Sequence, residues 1–120
     1  MNRVERGRIR DGVWTDRETI WKAELDTYNS APDIIAGGRL TFDDAGHVFL
    51  SVGMRSTRES VQDLSLPYGK IHRVNDDGSI PADNPFAAGE GDAMPSVWTL
   101  GHRSPQGLEF DRVTGLLWGS

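Results

Sequence analysis

Apolar and polar residues alternate along this chain over short stretches, and most stretches end in glycine, proline or aspartate. Alternation with period two places every second side chain on one face of an extended strand, so the pattern predicts β-structure. Strands are expected over Thr19–Glu24, Arg39–Phe42, His47–Val52, Lys70–Val74, Val97–Gly101, Gly107–Phe110 and Leu116–Trp118. No sustained helical period follows Glu24, and the predicted fold class is all-β.

The most explicit hairpin runs from Arg39 to Val52, with Leu40 and Phe42 on the same face as Val48, Leu50 and Val52. Its turn is Asp43–Gly46, where aspartate bonds its own backbone and glycine takes a positive φ that other residues resist. Leu108-Glu109-Phe110-Asp111 repeats Leu40-Thr41-Phe42-Asp43, and the copies continue in parallel after one extra turn residue before Gly115. Successive blades of a β-propeller repeat in this way, each sheet covering the apolar face of its neighbour. About two antiparallel blades are expected. Residues 53–67 and 80–95 are long loops placed on one rim of such a fold. Asn75–Ser79 reads as a plain tight turn, because the alternating carboxylates and closing glutamate of a calcium loop are missing.

Composition narrows the partners. A net charge of −5 works against nucleic-acid binding, which depends on clustered cations. Arg3, Arg6, Arg8 and Arg10, interleaved with Glu5 and Asp11, predict a solvated polar N-terminal arm over residues 1–18. Without cysteine there is no disulfide, thiolate nucleophile or cysteine-ligated zinc. The first thirty residues contain no apolar run of signal-peptide length, and no segment is long and apolar enough to cross a bilayer. No signal peptide and no membrane partner are therefore expected of this chain.

Several strings carry a resemblance: Gly37-Gly38-Arg39-Leu40-Thr41-Phe42, Gly69-Lys70-Ile71-His72-Arg73-Val74, Asp77-Gly78-Ser79-Ile80-Pro81-Ala82-Asp83-Asn84-Pro85-Phe86, and Leu100-Gly101-His102-Arg103-Ser104-Pro105-Gln106-Gly107. In this order the chain resembles the glucose/sorbosone dehydrogenase family, soluble quinoproteins that include aldose sugar dehydrogenases. The resemblance implies a partial six-bladed β-propeller over residues 19–120. It implies pyrroloquinoline quinone (PQQ) and calcium as cofactors, oxidation of an aldose to its lactone, and a periplasmic or secreted setting.

Carried over residue by residue, the resemblance makes Arg103 and Ser104 the cofactor-binding candidates. Arg103 stands at the family arginine that faces the quinone oxygens, and Ser104 replaces an expected asparagine. The family's proton-accepting histidine aligns with Ile35, and its acidic partner with Met54; neither side chain can take over a proton. Asp33 fills the gap only if the loop shifts by about two residues. His102 is read as structural, and His47 and His72 as ordinary strand histidines. Trp98 and Trp118 are expected in packing, while Trp14 and Trp21 are the other aromatic surfaces for a sugar. With the base pair and remaining blades missing, the isolated chain is expected to be inactive. The alternative is a non-catalytic binding or assembly module, three copies of which complete a ring. A lactonase-type metal site lacks a convincing ligand set.

Overall fold

The computed structural model describes residues 2–24, 37–55, 57–89 and 91–120. Ile35 and Asp33 lie outside the described residues. Eight strands are present among them: β1 (Arg3–Arg10), β2 (Val13–Lys22), β3 (Gly37–Phe42), β4 (His47–Val52), β5 (Lys70–Asn75), β6 (Val97–Leu100), β7 (Leu108–Asp111) and β8 (Leu116–Gly119). A short 3-10 turn covers Arg58–Val61, and no described residue is α-helical. The strands form a four-stranded antiparallel sheet, β3-β4-β5-β6, flanked by the hairpins β1-β2 and β7-β8.

The register shows why the sequence folds this way. Leu40 pairs with Leu50 and Phe42 with Val48, as the alternation requires. The Asp43 Oδ1 accepts the Ala45 and His47 backbone N–H groups at 3.0 and 2.9 Å, and Gly46 has φ 87°. The repeat reproduces this turn: Asp111 Oδ1 accepts the Val113 N–H at 2.9 Å, and Gly115 has φ 70°. A direct bond joins the two copies, the Phe110 N–H donating to Thr41 Oγ1 at 3.2 Å.

Each face of the central sheet has its own core. Val48, Leu50, Val52 and Val74 pack with Ile20, Trp21 and Tyr68 on one face; Phe49 and Ile71 pack with Leu108, Trp98 and Leu117 on the other. Fully burying one such aliphatic side chain contributes about 1.5–3 kcal/mol, so these two layers hold the three sheets together. Arg73 lies against the second face, its guanidinium 4.6 Å from the Trp98 ring centre and 3.0 Å from an Asp83 carboxylate oxygen. Asn84 Nδ2 donates to the Arg73 and Pro95 carbonyls at 2.9 and 3.0 Å, which pins the proline-containing loop to the sheet.

Two expectations need correction. Residues 1–18 are largely exposed, as their charges predict, but are not frayed: they supply β1 and more than half of β2. The hairpin turns at Asp11 and Gly12, both at positive φ, and is bridged by Arg6–Glu18 at 2.8 Å and Arg10–Asp16 at 3.0 Å. Its outer part carries cross-strand ion pairs and an exposed Ile9–Trp14 pair rather than a buried apolar face, so apolar alternation did not reveal it. Trp118 does not pack into a core; it is 62% exposed, on the opposite face of β8 from Leu117. Trp98 packs as expected, edge-on to Phe49 at 6.0 Å.

Candidate cofactor cleft

Four segments of the chain meet at one end of the central sheet. The β4 end supplies Gly53 and Met54, the 3-10 turn supplies Arg58 and Val61, the start of β5 supplies Gly69 and Lys70, and the segment after β6 supplies Gly101–Arg103. Backbone bonds lock them together. Met54 N–H donates to the Arg103 carbonyl at 2.7 Å, Gly69 N–H to Gly53 at 3.2 Å, His102 N–H to Gly69 at 3.0 Å, and Gly101 N–H to Val61 at 3.2 Å. Gly69 is required here twice over. Its φ is +63°, and a Cβ would lie 2.4 Å from Val61 Cγ1 and 2.6 Å from the His102 carbonyl oxygen.

These segments enclose a cleft of about 320 Å³ lined by Met54, Arg58, Val61, Gly101 and Arg103. Two guanidiniums and no carboxylate line it. Among the described residues the Arg103 guanidinium has no ion-pair partner, and its segment is fixed from behind. Ser51 Oγ donates to the Pro105 carbonyl at 3.0 Å, and Arg39 Nε to the Gln106 carbonyl at 2.7 Å. The cleft thus presents planar, permanently charged donors on a rigid frame, which suits carboxylate or quinone oxygens.

The other predicted residues fall as follows. Met54, the position where the resemblance expects an acidic residue, meets Arg103 directly through its backbone N–H. Ser104 lies outside the cleft lining, its hydroxyl accepting from Gln106 Nε2 at 3.0 Å. His102 is half-buried, with Nε2 2.7 Å from Thr99 Oγ1, and burial holds its pKa below the ordinary histidine value. That bond makes it an anchor of the segment.

His72 is fully buried on β5, tilted against Trp21 at 4.7 Å between ring centres. Its Nε2–H donates to the Pro67 carbonyl at 3.0 Å, which leaves Nδ1 to accept from Ser96 Oγ at 3.0 Å; Ser96 Oγ accepts Trp21 Nε1–H at 3.2 Å. Burial lowers the His72 pKa to about 4, keeping the ring neutral. His47 is also engaged, bonded to Asp43 Oδ2 through Nδ1 at 2.6 Å and lying beside Arg73.

Sequence reasoning missed Arg58 and Lys70. Lys70 is fully buried, and its Nζ donates to the Ser60, Val61 and Tyr68 carbonyls at 3.4, 3.3 and 2.8 Å. The available signal was a lysine sharing a strand face with His72 and Val74 in a central strand, where a charge is costly unless engaged.

Known proteins share this fold. The match to the Glucose / Sorbosone dehydrogenase family extends over residues 1–120. The chain is 37% identical over 116 residues to aldose sugar dehydrogenase YliI of Escherichia coli, covering 93% of this chain and 30% of that protein. It is 30% identical over 123 residues to quinoprotein glucose dehydrogenase B of Acinetobacter calcoaceticus, covering 78% of this chain and 25% of the relative. Among solved structures, a glucose dehydrogenase superposes with TM-score 0.86 at 30% identity, covering 98% of this chain and 36% of that one. The PQQ-bound aldose sugar dehydrogenase of Streptomyces coelicolor gives TM-score 0.69 at 25% identity, over 91% of this chain and 29% of that one. The chain spans about a third of the length of these relatives, and the two flanking hairpins and central sheet are part of a β-propeller. Matched along its whole length by the family and folded as its members fold, this chain belongs to the glucose/sorbosone dehydrogenase family.

Proposed function

We propose that this chain is the portion of a PQQ-dependent aldose sugar dehydrogenase that grips the anionic edge of the quinone through Arg103 and Arg58. The observation carrying this reading is the cleft of Met54, Arg58, Val61, Gly101 and Arg103, with two guanidiniums on a backbone-locked floor. PQQ carries carboxylates beside its quinone oxygens, so the donor set fits it. When bound, PQQ supplies the hydride acceptor for aldose oxidation. Arg103 orients its oxygens and offsets negative charge there, while the apolar side chains of Met54 and Val61 exclude water from one wall.

Proton removal from the sugar hydroxyl is not supplied at the two positions where the family places it, since isoleucine and methionine cannot accept a proton. Calcium fits the described residues poorly: no three His, Asp or Glu side chains converge among them, whereas the ion takes 6–8 oxygen ligands. The reading therefore predicts quinone binding without turnover by this chain. Calorimetric titration with PQQ should give saturable binding, and an aldose, PQQ, calcium and a redox dye should give no dye reduction. Absence of saturable binding would sink the reading, and dye reduction would overturn its inactive part.

A second reading, self-association of copies into a ring, is favoured by two uncovered apolar faces. Leu40 and Phe42 are 46% and 53% exposed on one side of β3, while Leu116 and Trp118 are 54% and 62% exposed on the outer face of β8. Seating the second face on the first in a neighbouring copy would bury both, head to tail. Light scattering after size exclusion decides: a discrete trimer supports a closed ring, and a soluble monomer excludes it.

A further inference from the structure

Lys70 is a cation at the heart of the cleft's frame that touches no ligand surface. Its three carbonyl partners come from two segments: Ser60 and Val61 at the end of the 3-10 turn, and Tyr68 just before β5. The Val61 carbonyl also receives the Gly101 N–H, and Gly101 leads directly into Arg103. The turn begins at Arg58, so the ammonium joins that turn directly to the start of β5 and reaches the Arg103 segment through the shared Val61 carbonyl. Gly69 leaves no room for a side chain between Val61 and the His102 carbonyl, so the segments lie in close contact there.

Resting on the reading of the cleft as an anion site, we propose that Lys70 is its positioning residue: the ammonium, gripping the Ser60, Val61 and Tyr68 carbonyls, fixes the Arg58 turn against the start of β5, and the Val61 and Gly69 carbonyls in turn hold the Arg103 segment. Carbonyls bonded to a charged donor are held more tightly than by a neutral one, and loss of the charge removes one of three donated hydrogens. Desolvation lowers the Lys70 pKa to about 8, opposed by the field of Asp63 from the loop after the turn. His72 is the titratable neighbour along its own strand, Arg58 lies on the turn that Lys70 grips, and Arg55 and His102 lie on segments bonded to Ser60 and Gly69. None of these histidines carries a charge near pH 8, so the transition there belongs to Lys70.

Hydrogen–deuterium exchange of the whole chain between about pH 6.5 and pH 9.5, corrected for intrinsic rates, tests the clamp without any ligand. Protection of the Gly101 and Gln62 amides should fall about fivefold across pH 8, as charge-assisted bonds become neutral ones, while Phe49 and Arg73 in the central sheet keep theirs. Lys70→Met should show the low values already at neutral pH and no transition. PQQ affinity should fall about tenfold in Lys70→Met, with wild-type affinity declining above pH 8. Protection at Gly101 and Gln62 that is flat with pH, or that falls together with Phe49 and Arg73, overturns the proposal. If Lys70→Met does not fold, the wild-type series still decides. Failure of the wild type to bind PQQ overturns the reading of the cleft, while the exchange series separately decides whether Lys70 holds the junction.

Discussion

Lowering the pH from about 7.5 to about 5 should destabilise this chain by about 2 kcal/mol through His72. The ring is neutral and fully used in the folded state: Nε2–H donates to Pro67 and Nδ1 accepts from Ser96. Protonating Nδ1 would set two donors against each other inside a core that contains Trp21. The folded pKa is about 4 against an ordinary 6.5. Because the unfolded chain takes up the proton first, the stabilisation is fully present above pH 6.5 and is lost progressively as pH falls toward 4. At about 1.4 kcal/mol per tenfold the full loss is about 3.5 kcal/mol, more than half of it incurred before ordinary carboxylates protonate. Urea denaturation followed by tryptophan emission at several pH values measures this directly. His72→Gln, which can keep one donor and one acceptor, should remove most of the slope. A midpoint unchanged between about pH 7.5 and pH 5, or an unchanged slope in His72→Gln, would refute the reasoning.

Three further outcomes are expected. Gly69→Ala should lower stability by about 2–4 kcal/mol in thermal melts, because positive φ and overpacking combine at one position. Asp43→Ala removes the acceptor for two turn amides and the His47 ring, and should cost about 1–3 kcal/mol; an unchanged melting temperature would show that the turn holds without it. Folded-state bonds from His47, set against a partial desolvation cost, hold the Asp43 carboxyl below its ordinary range. That contribution is present above the ordinary carboxylate pKa and is lost as pH falls through the lowered value, so the wild-type advantage over Asp43→Ala should shrink below about pH 4.

Legibility in the sequence followed the physical range of each interaction. The β3-β4 and β7-β8 hairpins were readable because their turns are local: one aspartate and one glycine set the geometry, and alternation sets the faces. Only the inner end of the β1-β2 hairpin was legible, because its outer part buries no apolar face and scatters charges among its few apolar residues, leaving Asp11-Gly12 as the one strong signal. Trp118 was misjudged because a strand residue packs only when another sheet covers its face, which depends on neighbours rather than on the strand. At the cleft, motif resemblance singled out Arg103, which lines it, and Ser104, which does not. Arg58 and Lys70 were missed, because their roles come from segments that meet only in three dimensions. Lys70 illustrates the difference well: a lysine in a strand suggests solvent, and only the three converging carbonyls reveal it as buried and engaged.

The central claim is that Arg103, in a rigid cleft of a family propeller segment, holds an anionic quinone. The most direct measurement is a calorimetric PQQ titration of the wild-type chain beside Arg103→Gln, with thermal melts confirming that both are equally folded. The account predicts saturable binding by the wild type, weakened about tenfold or more by the substitution and weakened further by salt. Equal affinity in the two proteins, or no saturable binding by a folded wild type, would contradict it.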